Sequence, residues 1–204
     1  MKKIWITGAN GRVGAALTRY FTGWGYRVFA TDLEDCDVSD EAAVMKQATR
    51  QLPDVIINCA GYTNIAACQE NQEMAFKVNT IGARNLAMAA QSSGALLVQL
   101  STDDIFDGTA SVPYHEFDNA APRSTYGKSK LAAEEFVKTL AGRYLIIRSC
   151  WVYGGGGDMV EQILTAADRG ETLKMANNQI ASPTCIKEIA RTIAAMLDTQ
   201  ECGT

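Results

Sequence analysis

Short apolar runs alternate along the chain with longer stretches whose apolar residues recur at helical spacing, and this alternation predicts the elements in order. Lys3 to Thr7 is an apolar run ending in a glycine-rich turn, which predicts a first strand. Val13, Leu17, Tyr20 and Phe21 then mark one side of a helix. Tyr26 to Thr31 predicts a second strand that ends at Asp32. Residues 40–51 predict a helix closed by Pro53, and Asp54 to Asn58 a third strand of the fully buried type. A single long helix is predicted from about Asn71 to Ser93, stopped by Gly94. Ala95 to Leu100 predicts a fourth strand, and a loop over 103–123 holds Gly108, Pro113 and Pro122. A helix over Ser124 to Leu140 and a fifth strand over Tyr144 to Ser149 follow. A glycine run at 154–157 leads to helices near 158–169 and 185–198.

Strands alternating with helices give βαβ units and a parallel sheet. Strands without a polar face are covered on both sides. With right-handed crossovers, the expected fold is α/β, a doubly wound parallel sheet of Rossmann type with ligands at the carboxyl ends of the strands. A chain of 204 residues provides one well-buried domain with little left for a second.

Composition narrows the picture mainly by exclusion. Apolar residues make up 47% and charged residues 21%, which is globular composition, and the net charge of −4 brings no clustered Lys and Arg for nucleic acid. No stretch is long enough to span a bilayer, and the start has no signal-peptide apolar region, so the expectation is a cytoplasmic protein with neither nucleic-acid nor membrane partners. Six cysteines stand at 36, 59, 68, 150, 185 and 202 with no CxxC pair, and His115 is the one histidine. That pattern argues against a zinc site and for reduced thiols, and no metal is expected.

Four motifs carry chemistry. Gly8-Ala9-Asn10-Gly11-Arg12-Val13-Gly14 is a GxxGxxG between the first strand and the first helix. Gly8 permits the turn, Gly11 lets backbone approach a pyrophosphate, and Gly14 lets helix pack on strand. Asn10, Arg12 and Val13 share the helix N-terminus that faces the phosphates. Asp32, at the end of the second strand, is placed to bond ribose hydroxyls, and Asp37-Val38 lies where such folds meet the adenine ring. Cys59, Ala60, Gly61 and Tyr62 after the third strand, with Asn79, complete the candidate cofactor residues. Tyr126 and Lys130 form a YxxxK on one helix face. The lysine is expected to lower the phenol's pKa and to hold the nicotinamide ribose, while Tyr126 passes a proton to a carbonyl oxygen. Ser101, Thr102 and Asp103 end the fourth strand, where Thr102 can hold and polarise a substrate carbonyl. Together these imply NADH or NADPH as cofactor, with residues 1–150 as the NAD(P)-binding domain and 151–204 as a partial substrate-binding region packed on it.

These residues, with Ser101 to Gly108, Arg148 to Gly154 and Gln179 to Thr184, resemble the dTDP-4-dehydrorhamnose reductase family over essentially the whole chain. The resemblance implies NAD(P)H-dependent reduction of the 4-keto group of a nucleotide sugar, dTDP-4-dehydro-L-rhamnose giving dTDP-L-rhamnose. It assigns Thr102, Tyr126 and Lys130 as catalytic and places Trp151 and Thr184 near the sugar. Family members continue past Thr204, so the small substrate-binding part is expected to be incomplete. The chain departs from the family pattern at Asp104, Ala66-Ala67 and Ala181, and Ala15-Ala16 stand where some members carry a magnesium-binding carboxylate at a dimer contact. A homodimer is a candidate assembly. Two other readings share the glycine turn and YxxxK: a nucleotide-sugar epimerase or dehydratase that recycles a held NAD, and a non-catalytic NAD(P)-binding regulatory subunit.

Overall fold

The computed structural model describes residues 1–199 and 201–204. Among these, β1 (Lys3–Thr7), β2 (Arg27–Thr31), β3 (Val55–Asn58), β4 (Leu96–Thr102) and β5 (Tyr144–Ser149) form one parallel sheet in the order β2-β1-β3-β4-β5. Helix α1 (Arg12–Gly23) carries the chain from β1 to β2, and α2 (Glu41–Gln51) carries it back across β1 to β3. The winding direction therefore reverses between β1 and β3, and the crevice of this doubly wound, Rossmann-like sheet opens beyond their carboxyl ends.

Alternation along each strand builds the two cores. Trp5, Ile56, Leu97 and Ile146 point to one face, under Val44 and Ala48 of α2, Leu86 of α5 (Gly82–Ser93) and Val137 of α6 (Thr125–Leu140). Ile4, Ile6, Ile57, Val98 and Leu145 point to the other, under Leu17 and Phe21 of α1.

The single helix expected over 71–93 is several pieces. Helix α3 (Ile65–Glu70), capped by Asn64, was not foreseen. Helix α4 (Gln72–Ala75), capped by Asn71, passes into a π-helical turn at Phe76–Ile81 before α5 begins. The wider turn lets adjacent side chains reach one target on α6: Asn79 Nδ2 donates to Ser129 Oγ at 2.9 Å, and Thr80 Oγ1 to the Ser129 carbonyl at 2.8 Å. Side-chain demands across the fold have overridden the register that apolar spacing alone suggests. The fourth strand also runs two residues further than expected, so Ser101 and Thr102 still pair with β5, and Asp103–Ile105 form a 3-10 turn.

The late residues are not a separate body. After α7 (Met159–Asp168), helix α8 (Ile186–Leu197) packs against α1, and Ile189, Ile193 and Leu197 join the core beneath β1, β3 and β5. Gly203 hydrogen-bonds along the free edge of β5, to Tyr144 O and Ile146 N at 2.9 and 2.8 Å. Residues 151–185 are left above the sheet's carboxyl end. Ile193 is fully buried, so Ile193→Ala is expected to cost about 2–5 kcal/mol in urea unfolding. It should do so within a single cooperative transition, because α8 shares the α1 core.

Candidate active site

The glycine turn is shaped by close approaches of the chain to itself. Gly8 has φ +64°, and a Cβ there would lie 2.5 Å from Ala60 N. A Cβ on Gly14 would lie 2.2 Å from Gly8 O, so α1 can seat on the turn only with glycine at this position. Gly11 differs. It is exposed, and its Cβ would touch only Gly8 O, at 3.2 Å. The chain leaves the space above Gly11 open, and Gly11 caps α1 with no side-chain acceptor and no acidic residue in the first turn. Outward N–H groups beneath open backbone fit a pyrophosphate.

Beneath this turn a polar belt runs across the sheet. Thr7 Oγ1 donates to Asn58 Oδ1 at 2.8 Å, Asn58 Nδ2 to Gln99 Oε1 at 2.8 Å, and Gln99 Nε2 to the Leu100 carbonyl at 2.8 Å. Asn58 Oδ1 also accepts from Ala60 N, which shapes the loop against which Gly8 rests. Thr7, Asn58 and Gln99 are each at most 2% exposed. Sequence reasoning passed over Asn58 and Gln99. Their signal was a lone amide inside an otherwise apolar strand, which a fully buried position tolerates only with partners.

Helix α6 brings the expected triad together. Ser124 caps it through Gly127 N, and a Cβ on Gly127 would lie 2.1 Å from Asp104 O, so glycine lets the first turn close on the end of β4. Tyr126 is thereby set beside Thr102, whose side chain acts to lower the phenol. One turn on, Lys130 Nζ donates to the Leu100 carbonyl at 2.6 Å. The expectation that Lys130 lowers the phenol is corrected. Burial pushes Tyr126 up to about 12, outweighing the influence of Thr102, because the ammonium is turned to backbone rather than to the phenol. Burial also brings Lys130 down to about 8, with Glu134 and the Cys59 thiol opposing it. A phenol held this way stays protonated at neutral pH and suits a proton donor.

The other expected residues distribute around this centre. Asn79 clamps Tyr62, accepting from its N–H at 2.7 Å and donating to its carbonyl at 3.0 Å. Burial raises the Cys59 thiol to about 12. The Asp32 carboxylate accepts from Asn10 N at 2.7 Å and Leu33 N at 2.8 Å, tying the end of β2 to the glycine turn. Asp37 folds back on Ser39, while Val38 is buried against Gly82 as part of the core rather than standing open. Ser101 turns away from the crevice, since its hydroxyl donates to Glu134 Oε1 at 2.5 Å. Asp103 accepts from Thr102 Oγ1 and from the Cys150 thiol, at 3.2 and 2.7 Å. Thr184 bonds the Cys150 and Tyr153 backbones, joining the two late segments. Trp151 has φ +40° and rims a cavity of about 480 Å³ with Arg12, Tyr153, Lys174 and Met175. Arg12 donates to Val152 O at 3.4 Å, so it bridges the glycine turn and this cavity. Among the described residues no group of three or more His, Cys, Asp or Glu is arranged to hold a metal, and no helix is long and apolar enough to cross a membrane.

A glycine cradle and a Tyr–Lys helix on one parallel sheet match known proteins. The family described as RmlD substrate binding domain covers residues 1–204. The chain belongs to this family. It is 35% identical over 95% of its length to the spore coat polysaccharide biosynthesis protein SpsK of Bacillus subtilis, of which it covers 69%. The crystal structure of a dTDP-4-dehydrorhamnose reductase from Clostridium acetobutylicum superposes with a TM-score of 0.94 at 41% identity, over 99% of this chain and 72% of that one. The Bacillus anthracis dTDP-4-dehydrorhamnose reductase in complex with NADP gives 0.95 at 35% identity, over all of this chain and 73% of that one. The chain spans about two thirds of the length of the curated relatives it matches.

The lowered Lys130 sets a pH dependence. Between pH 8 and 10.5 the unfolded lysine holds a proton that the native one has released, so raising pH across this window stabilises the native state. Tyr126 acts oppositely above pH 10, because its native pKa lies above the unfolded one. Urea titrations should therefore show wild type gaining on Lys130→Met by roughly 2 kcal/mol between pH 8 and 10, and a flat difference would contradict the burial of this charge.

Proposed function

We propose that this family member is an NAD(P)H-dependent reductase of the 4-keto group of a nucleotide sugar, dTDP-4-dehydro-L-rhamnose being converted to dTDP-L-rhamnose. The observation that carries the reading is that α6 sets Tyr126, half-buried, beside Thr102 at the carboxyl end of β4, with Lys130 one turn on bonded to the Leu100 carbonyl of the same strand. When bound, NADH or NADPH supplies the hydride. The chain's own residues do the rest. Gly8, Gly11 and Gly14, with the N–H groups at the start of α1, hold the pyrophosphate. Asp32 has lone pairs left for ribose hydroxyls after its two backbone hydrogen bonds. Lys130 stands at the crevice floor within reach of a second ribose. Thr102 orients the keto oxygen, and Tyr126 passes its proton to that oxygen as it becomes an alcohol. Reduction needs a protonated phenol at the outset, whereas a dehydratase or epimerase cycle that begins by oxidising its sugar needs a phenolate. Net consumption of the cofactor separates the two. Residues 151–185, with Trp151 and Thr184, form the sugar side of the site above the cavity beside Arg12.

Two measurements test this. With dTDP-4-dehydro-L-rhamnose, net oxidation of NADH or NADPH is expected, and Tyr126→Phe should lower kcat by about 10²–10⁴-fold while leaving cofactor affinity near wild type. Full activity of that variant, or turnover without net cofactor consumption, would overturn the assignment. Separately, Gly11→Val fills the open space above the turn and should abolish cofactor binding in a fluorescence titration, with the thermal unfolding curve little changed.

A further inference from the structure

Helix α6 meets β4 at three successive turns. Tyr126 lies beside Thr102, Lys130 donates to the Leu100 carbonyl at 2.6 Å, and Glu134 accepts from Ser101 Oγ at 2.5 Å. The third contact lies outside the chemistry proposed above. Glu134 is fully buried, and a carboxylate at such depth is retained only with dedicated partners. It accepts from Arg148 Nε and Nη2 at 3.1 and 2.7 Å, and Lys138 Nζ stands 3.7 Å from Oε2. Arg148 in turn donates to Glu116 O and lies over the Phe106 ring at 5.5 Å, which fastens the loop after β4 to the same group.

We propose that Glu134 is a positioning residue for the site, its carboxylate being the buried negative charge one helical turn from the Lys130 ammonium while its bond to Ser101 fixes the register of α6 on β4. This rests on the reductase reading only for its consequence, since charged Lys130 is the form that holds a cofactor ribose. The charged and titratable groups that act on Lys130 are Glu134, one turn on along its own helix, and the Cys59 thiol in the loop after β3. Glu134 faces Ser101 on β4, Arg148 on β5 and Lys138 on α6. Burial opposes the ammonium, and the carboxylate is the main opposing influence.

Two effects of removing Glu134 have opposite signs. Loosening the packing admits water and moves the Lys130 midpoint up toward the ordinary lysine value. Losing the negative charge moves it down. Carbon-13 NMR of lysine side chains, on the cofactor-free chain, reads this midpoint directly. Glu134→Gln keeps the shape and one hydrogen-bonding oxygen, and it should lower the midpoint by about one unit, a tenfold loss of proton affinity. The alkaline loss of NADH affinity should move to lower pH by the same amount. Glu134→Asp, which keeps the charge, should restore the midpoint toward wild type. A midpoint that is unchanged or raised in Glu134→Gln overturns the proposal. If that variant does not fold, the carboxyl carbon of Glu134 in the wild type decides. A chemical-shift step at the Lys130 midpoint supports the coupling, and a flat line overturns it. None of these readouts requires turnover, so an inactive protein would reject the reductase reading without bearing on Glu134.

Discussion

The seating of α6 on the carboxyl end of β4 is the constraint on which the site depends. Residues four apart share one face of a helix, and three such residues of α6 meet three consecutive residues at the end of β4. Here Tyr126, Lys130 and Glu134 engage Thr102, Leu100 and Ser101. A slip of one helical residue would swing all three side chains off their partners. Gly127 makes the seating close enough, because any side chain there would meet the Asp104 carbonyl.

The same carbonyl of Leu100 joins two systems. It accepts from Lys130 and from Gln99, and Gln99 ends the belt that runs through Asn58 to Thr7 at the foot of the glycine turn. The glycine turn and the Tyr–Lys helix come from distant parts of the chain, yet buried hydrogen bonds across β1, β3 and β4 fix them to each other. Fully satisfied polar chains in a low-dielectric interior are rigid, since any displacement leaves an unpaired group. Rigidity of this kind suits a reaction in which a hydride donor and a proton donor must face one carbonyl within a fraction of an ångström.

The late segments above the sheet are tied together mainly through their backbones. The segments 150–153 and 182–185 are joined by backbone bonds between Cys150, Tyr153, Thr184 and Ile186, and Gly155 packs against Arg12. Trp151 is held with a positive φ that side chains rarely adopt, at the rim of the cavity. Strain of this sort persists where neighbours over-determine a residue, and it is common at ligand clamps.

Much of the fold and part of the site were legible in the sequence, because their signals are local. Short apolar runs gave five strands, period-3.6 patterns gave most of the flanking helices, and glycine spacing and YxxxK picked out the glycine turn and the Tyr126–Lys130 face of α6. Other features had no local signal. The π-helical turn exists so that Asn79 and Thr80 both reach Ser129, a demand from fifty residues away. Ser101 looked like a substrate contact, but it is claimed by Glu134 on the far helix. Helix α8 reads as any amphipathic helix, and only packing shows that it completes the core beside α1. The sequence by itself determined which residues are chemically able to act, since that resides in side-chain type and short-range spacing. Tertiary structure alone decided which of them face the crevice and how easily they lose a proton, because burial and charge at a site are sums over neighbours that the chain brings together only on folding.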